Sequence, residues 1–124
     1  MTLQASKTTP RIMIVDDEAS LRKVLKATLR RAGYDIETAK SGQEALEKLA
    51  ATETRAERHF DLVICDIRMP EMNGMTLLER VVKTYADLPM IMLTAHGTVD
   101  LAVHALKKGA FDFLSKPYER DEIL

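Results

Sequence analysis

Five short apolar runs, at residues 12–15, 36–39, 62–65, 90–93 and 111–114, alternate along this chain with segments of helical periodicity. Each run has strand length, and the connections are too short for much besides parallel crossovers. The alternation therefore predicts an α/β fold: one open, doubly wound parallel sheet of five strands with helices on both faces. The first, third and fourth runs are apolar almost throughout, as buried central strands should be.

The helical segments carry their own boundaries. The first spans about 18–32, with Leu21, Val24, Leu25, Thr28, Leu29 and Ala32 on one face and Gly33 as its stop. The second opens on Ser41-Gly42-Gln43-Glu44, a capping box in which hydroxyl and carboxylate each satisfy a backbone N–H. The third follows Asn73-Gly74 and reaches about Tyr85, using Leu77, Leu78, Val81 and Val82; the fourth covers 99–108 and stops at Gly109. A fifth begins near Glu119 and is cut off at Leu124. Residues 1–10 read as a loose polar lead, and 11–124 as a single domain.

Eighteen basic and nineteen acidic residues leave a formal charge of -1 with no block of like charge, so a direct nucleic-acid binder is not expected. No apolar run is long enough to span a membrane. Cys65 is the sole cysteine and cannot form an intrachain disulfide, and no secretory signal opens the chain; the expected location is cytoplasmic. Within its apolar strand, Cys65 reads as a buried small side chain.

The residues that end the strands are the informative ones. The first runs into Asp16-Asp17-Glu18, the third into Asp66, the fourth into Thr94 and the fifth into Lys116. In an open parallel sheet the carboxyl ends of the strands share one edge, where ligands bind. Any one such residue could simply cap the helix that follows, but three aspartates, a threonine and a lysine meeting in one crevice ask for more. Crowded carboxylates repel unless a cation compensates, and all-oxygen donors with open positions suit Mg²⁺, with Mn²⁺ as a substitute. Three carboxylates, one divalent ion and one lysine sum to zero charge, a pocket able to accept a phosphoryl group.

Asp16-Asp17, then Val63-Ile64-Cys65-Asp66-Ile67-Arg68-Met69-Pro70, then Met92-Leu93-Thr94-Ala95, then Leu114-Ser115-Lys116-Pro117 resemble, in order, the signature of the receiver domain of bacterial two-component response regulators. Four separated motifs agree, across residues 11–124. Thr94-Ala95-His96-Gly97 followed by Ala110-Phe111-Asp112-Phe113-Leu114 is most similar to receivers of the nitrogen-regulation class, which activate sigma-54 promoters.

The resemblance implies a flavodoxin-like (βα)5 fold and a stoichiometric phosphoacceptor, not a turnover enzyme, with self-phosphorylation and self-dephosphorylation only. Asp66 would take the phosphoryl group from a sensor histidine kinase. Asp17, Asp66 and the main-chain carbonyl of Arg68 would ligate Mg²⁺, with Asp16 acting through bound water. Lys116 would contact a phosphoryl oxygen, aimed by a cis bond to Pro117 unless that proline simply starts the fifth helix. Thr94 and Phe113 would be the switch pair, remodelling the face of the fourth helix, fifth strand and fifth helix. Chemotaxis-type receivers have tyrosine where this chain has Phe113, so its two states must differ by burial alone. Arg68 and His96 would tune the lifetime of the phosphoryl group. Family members of this class continue into an AAA+ ATPase and a DNA-binding domain, so the chain is expected to be a fragment of a longer transcription regulator, and homodimerisation through the truncated last helix stays open.

Secondary features have plainer readings. Arg22, Lys23, Lys26 and Arg30 make the exposed side of the first helix basic, a solvated face or a kinase-docking one. Met69, Met72 and Met75 serve local packing or an adaptable partner surface. His59 and His104 lack ligand-like spacing. Residues 51–60 either extend the second helix or form a loop. Three rival functions fit less well: an aspartate-nucleophile phosphatase, which needs a second aspartate where Arg68 stands; a degenerate, phosphorylation-independent module, against which the intact Asp16, Asp17, Asp66, Thr94 and Lys116 set argues; and a nucleotide-binding flavodoxin-like protein, which lacks its glycine-rich loop here.

Overall fold

In a computed structural model of the chain, residues 9–54, 59–69, 71–94 and 99–115 are described. The element order is β1 (Arg11–Val15), α1 (Ala19–Arg31), β2 (Asp35–Ala39), α2 (Gly42–Thr54), β3 (Leu62–Asp66), α3 (Gly74–Thr84), β4 (Met90–Thr94), α4 (Val99–Lys107) and β5 (Asp112–Ser115). The predicted strands all form, with ends shifted by one residue. All pairings are parallel, in the order β2-β1-β3-β4-β5. The three most apolar strands, β1, β3 and β4, are the interior ones, as the sequence demands.

Alternation along the strands divides the core in two. Met13, Val15, Val63, Cys65, Met90 and Met92 face α2, α3 and α4, where they meet Ala45, Leu49, Leu77, Leu78, Val81 and Ala105. Ile12, Ile14, Ile36, Ile64 and Leu93 face the other way, onto Leu25 and Leu29 of α1. The sheet is therefore covered on both faces, as doubly wound folds require.

Helix starts follow their predicted chemistry with one adjustment. Ser41 Oγ accepts from the Glu44 N–H at 3.1 Å, but Glu44 Oε1 reaches past the cap and accepts from the Lys40 N–H at 2.7 Å. Asn73 Oδ1 caps α3 by accepting from the Thr76 N–H at 3.0 Å. Helix α2 runs on to Thr54, which favours the extended-helix reading as far as that residue; residues 55–58 lie outside the described residues, as does the fifth helix expected near Glu119.

Three apolar assignments fail, the first at Ala32, which is exposed at the C-cap of α1. Val24 is 57% exposed, because Leu21, Leu25 and Leu29, spaced by four, take the contact line of α1 and Val24 falls beside it. Val82 is 36% exposed and leans on the backbone at Gly109 instead of entering the core. The methionines resolve toward packing: Met69 is buried, and Met72 and Met75 pack against the larger cluster. Met72 lies so close to Gly42 that a Cβ there would stand 2.8 Å from its sulfur, which seats the loop after β3 on the start of α2.

At the opposite end of the molecule, the Tyr85 hydroxyl donates to Glu53 Oε2 and ties the end of α3 to the end of α2. Burial, reinforced by that carboxylate, pushes the Tyr85 phenol up to about 12. A raised phenol pKa favours the folded state fully below the ordinary value of about 10, and the contribution is lost as pH climbs toward the folded value. Tyr85→Phe should accordingly abolish the component of tyrosine absorbance that titrates near pH 12 and flatten the alkaline fall in stability. Leu25→Ala should cost about 2–5 kcal/mol in urea unfolding, since the cavity it leaves is walled by the sheet.

Candidate functional site

The strand order reverses between β1 and β3: β2 lies to one side of β1, while β3, β4 and β5 follow on the other. Open α/β sheets bind ligands outside the carboxyl ends of their strands at such a switch point. Val15 pairs with Cys65, so Asp16 and Asp66 leave adjacent strands at the same level. Asp16, Asp17 and Asp66 each present a carboxylate oxygen there, all within 4.8 Å of one another. Among the described residues no other group of three or more His, Cys, Asp or Glu residues is so arranged.

Burial differs among the three. Asp16 is fully buried, Asp66 is 7% exposed, and Asp17 is exposed. Asp16 is tethered through its backbone and its side chain. Its N–H donates to the Ala39 carbonyl at 3.1 Å, its Oδ1 accepts from the Glu18 N–H at 2.9 Å, and its carbonyl accepts from Arg22 Nη1 at 2.7 Å. Asp66 Oδ1 accepts from the Arg68 N–H at 3.2 Å, which ties the carboxylate to the loop that follows. The Cys65 thiol is buried and donates to the Asp66 carbonyl at 3.2 Å, in keeping with a packed small side chain.

These donors fit a small hard cation. Mg²⁺ holds oxygens at about 2.0–2.1 Å, so opposite ligands of an octahedron stand about 4.2 Å apart. Only one pair of three ligands can be opposite, and neighbouring ones must close to about 3 Å, so oxygens within 4.8 Å of one another can share one ion directly or through the waters it retains. Like charges at this separation repel, and a divalent ion removes the repulsion.

The remaining strand ends converge on the same edge. Asp66 pairs with Leu93, and Thr94, the last residue of β4, pairs with Ser115, the last of β5. Lys116, Pro117 and His96 lie outside the described residues. Phe113 on β5 pairs with Met92 and is half-buried against the larger core cluster. His104 sits exposed on α4 and His59 is exposed, neither in a ligand set.

Arg22 departs from the expected basic face. It is half-buried, with its guanidinium turned back onto the Asp16 carbonyl, while Lys23 and Arg30 remain exposed. Gly74 is a second residue whose role at the site was not anticipated. Its N–H donates to the Ile67 carbonyl at 2.7 Å, and a Cβ at this position would stand 2.3 Å from the Asp66 carbonyl oxygen and 2.7 Å from the Ile67 Cα. The first turn of α3 thus presses directly on the backbone that carries Asp66, which only glycine permits. The Asn73-Gly74 pair is visible in the sequence, but what it approaches is not.

A family profile for the response regulator receiver domain matches residues 12–124. The transcriptional regulatory protein ZraR of Escherichia coli O157:H7 is 42% identical over 112 residues, covering 90% of this chain and 24% of that protein. The DNA-binding transcriptional regulator NtrC of Escherichia coli strain K12 is 41% identical over 111 residues, 90% of this chain and 22% of that protein. The chain therefore spans about a quarter of the length of these curated relatives. Among solved structures, a response regulator receiver domain protein from Clostridium thermocellum superposes with a TM-score of 0.84 at 32% identity, over 92% of this chain and 87% of that one.

Gly74→Ala should destabilise the domain by about 1–3 kcal/mol in denaturant unfolding, because the added methyl meets backbone rather than a yielding side chain. In the folded variant the amide resonances of Asp66 and Ile67 should move more than those of β1.

Proposed function

The chain belongs to the response regulator receiver domain family, and on that premise we propose that it accepts a phosphoryl group on Asp66 from a sensor histidine kinase. The observation that carries the reading is the gathering of Asp16, Asp17 and Asp66 at the β1/β3 switch point, with carboxylate oxygens within 4.8 Å.

A carboxylate oxygen of Asp66 attacks phosphorus while the P–N bond of the donor phosphohistidine breaks. The new bond is an acyl phosphate, and the departing imidazole leaves with its electron pair and a solvent proton. The Arg68 N–H on Asp66 Oδ1 holds the carboxylate in one orientation for that attack. Asp17, Asp66 and the main-chain carbonyl of Arg68 would hold Mg²⁺, with Asp16 behind them through water. When bound, that ion supplies charge neutralisation for the transferring phosphoryl oxygens. Lys116 would add the remaining positive charge, and Thr94 would donate its hydroxyl to a phosphoryl oxygen. Phe113, half-buried beside Met92, would then exchange one packing for another and alter the α4–β5 face.

No turnover of external phosphate esters is part of this function, since Arg68 occupies the position where an aspartate-nucleophile phosphatase carries its general acid. The relatives named above are regulators of transcription, of which this chain matches about a quarter. The modified face would control an effector, of the AAA+ ATPase and DNA-binding kind found in the sigma-54 activator class, and the kinase would dock beside α1. Such a signalling role places the protein in the cytoplasm; no helix among the described residues is long and apolar enough to cross a membrane.

Incubation with acetyl phosphate and Mg²⁺ should add one phosphoryl group by intact-mass measurement, and EDTA or Asp66→Asn should prevent it. No addition with any donor would instead mark a phosphorylation-independent module, and continuous phosphate release would mark a phosphatase.

A further inference from the structure

Among the basic side chains of α1, Arg22 alone turns back to the acidic crevice, and we infer that it is a positioning residue that sets the Asp16-Asp17 peptide for cation binding. The inference rests on the metal reading of the crevice given above. Arg22 lies in the first turn of α1, where its own N–H donates to the Glu18 carbonyl at 3.1 Å, so its backbone is fixed to the loop it serves. From there Nη1 donates to the Asp16 carbonyl at 2.7 Å. That carbonyl belongs to the peptide joining Asp16 to Asp17. Because the peptide unit is planar, fixing its oxygen fixes the direction in which the chain enters Asp17.

The contact completes a set. The Ala39 carbonyl holds the Asp16 N–H, and the Glu18 N–H holds its carboxylate. Without Arg22, a buried carbonyl loses a charge-assisted donor and the peptide gains freedom to rotate. Asp17, exposed and at the far end of that peptide, has the most to lose in position.

Charge and geometry make opposite predictions here, which gives the inference a sharp test. A guanidinium seated on the Asp16 carbonyl adds positive charge near the crevice and repels an incoming cation, so if Arg22 acted by charge alone its removal would tighten Mg²⁺ binding. If it acts by holding the peptide, removal weakens binding in spite of the relieved repulsion. Arg22→Met keeps the stem and deletes both charge and donors; Arg22→Lys keeps the charge and one donor head.

Isothermal titration with Mg²⁺ should find Arg22→Met weaker by about tenfold, the loss expected for one hydrogen bond from a charged group, and Arg22→Lys restored to within about threefold of the unsubstituted chain. In the metal-free protein, amide exchange at Glu18 should quicken in Arg22→Met and return in Arg22→Lys, a readout independent of the cation. Mg²⁺ binding by Arg22→Met as tight as or tighter than that of the unsubstituted chain, or unaltered Glu18 exchange, overturns the inference. Absence of Mg²⁺ binding in the unsubstituted chain would overturn the metal reading itself, and the exchange measurement would still decide whether Arg22 holds the peptide.

Discussion

Three carboxylates whose oxygens crowd within 4.8 Å repel one another, and the fold must hold them there. Between the two buried members, Asp16 and Asp66, the Coulomb term is on the order of 3 kcal/mol at an effective dielectric of about 20. A fully buried Val, Leu or Ile side chain stabilises by about 1.5–3 kcal/mol. Val15 directly precedes Asp16, Cys65 directly precedes Asp66, and Leu93 pairs with Asp66, all three fully buried. The two apolar clusters are thus large enough to carry the acidic edge with the sheet intact.

The acidic edge lies at a place defined by backbone geometry. Parallel pairing brings the ends of β1 and β3 level, and the reversal of strand order opens a gap between the loops that leave them. Gly74 closes the loop after β3 against Asp66, and Arg22 closes the loop after β1 against Asp16. Each loop is pinned by the helix that follows it. Movements of α1 or α3 should therefore be felt at the carboxylates, which gives a receiver's helices a physical route to its chemistry.

Much of this was readable from the chain. The uninterrupted apolar character of Ile12 to Val15, Leu62 to Cys65 and Met90 to Leu93 identified interior strands, because only strands buried on both faces lack polar alternation. Ser41 with Glu44, and Asn73 with Gly74, marked helix starts through local hydrogen bonding that needs no tertiary partner. Val24 and Val82 were misjudged for the converse reason: helical spacing places them near an apolar stripe, but the width of that stripe is set by what packs against it. The same spacing puts Arg22 on the exposed basic side of α1, yet a long side chain in the first turn can fold back along the helix axis.

The sequence by itself determined the five-fold alternation, the identity of the polar residues at the strand ends and the match to one family, because these depend on residue type and near neighbours. Only the tertiary structure decided the order β2-β1-β3-β4-β5, the unequal burial of Asp16, Asp17 and Asp66, and the pressure of Gly74 and Arg22 on their backbones. Those are relations between atoms far apart along the chain, fixed by packing and pairing, and no local pattern encodes the distance between two ends that the sheet alone brings together.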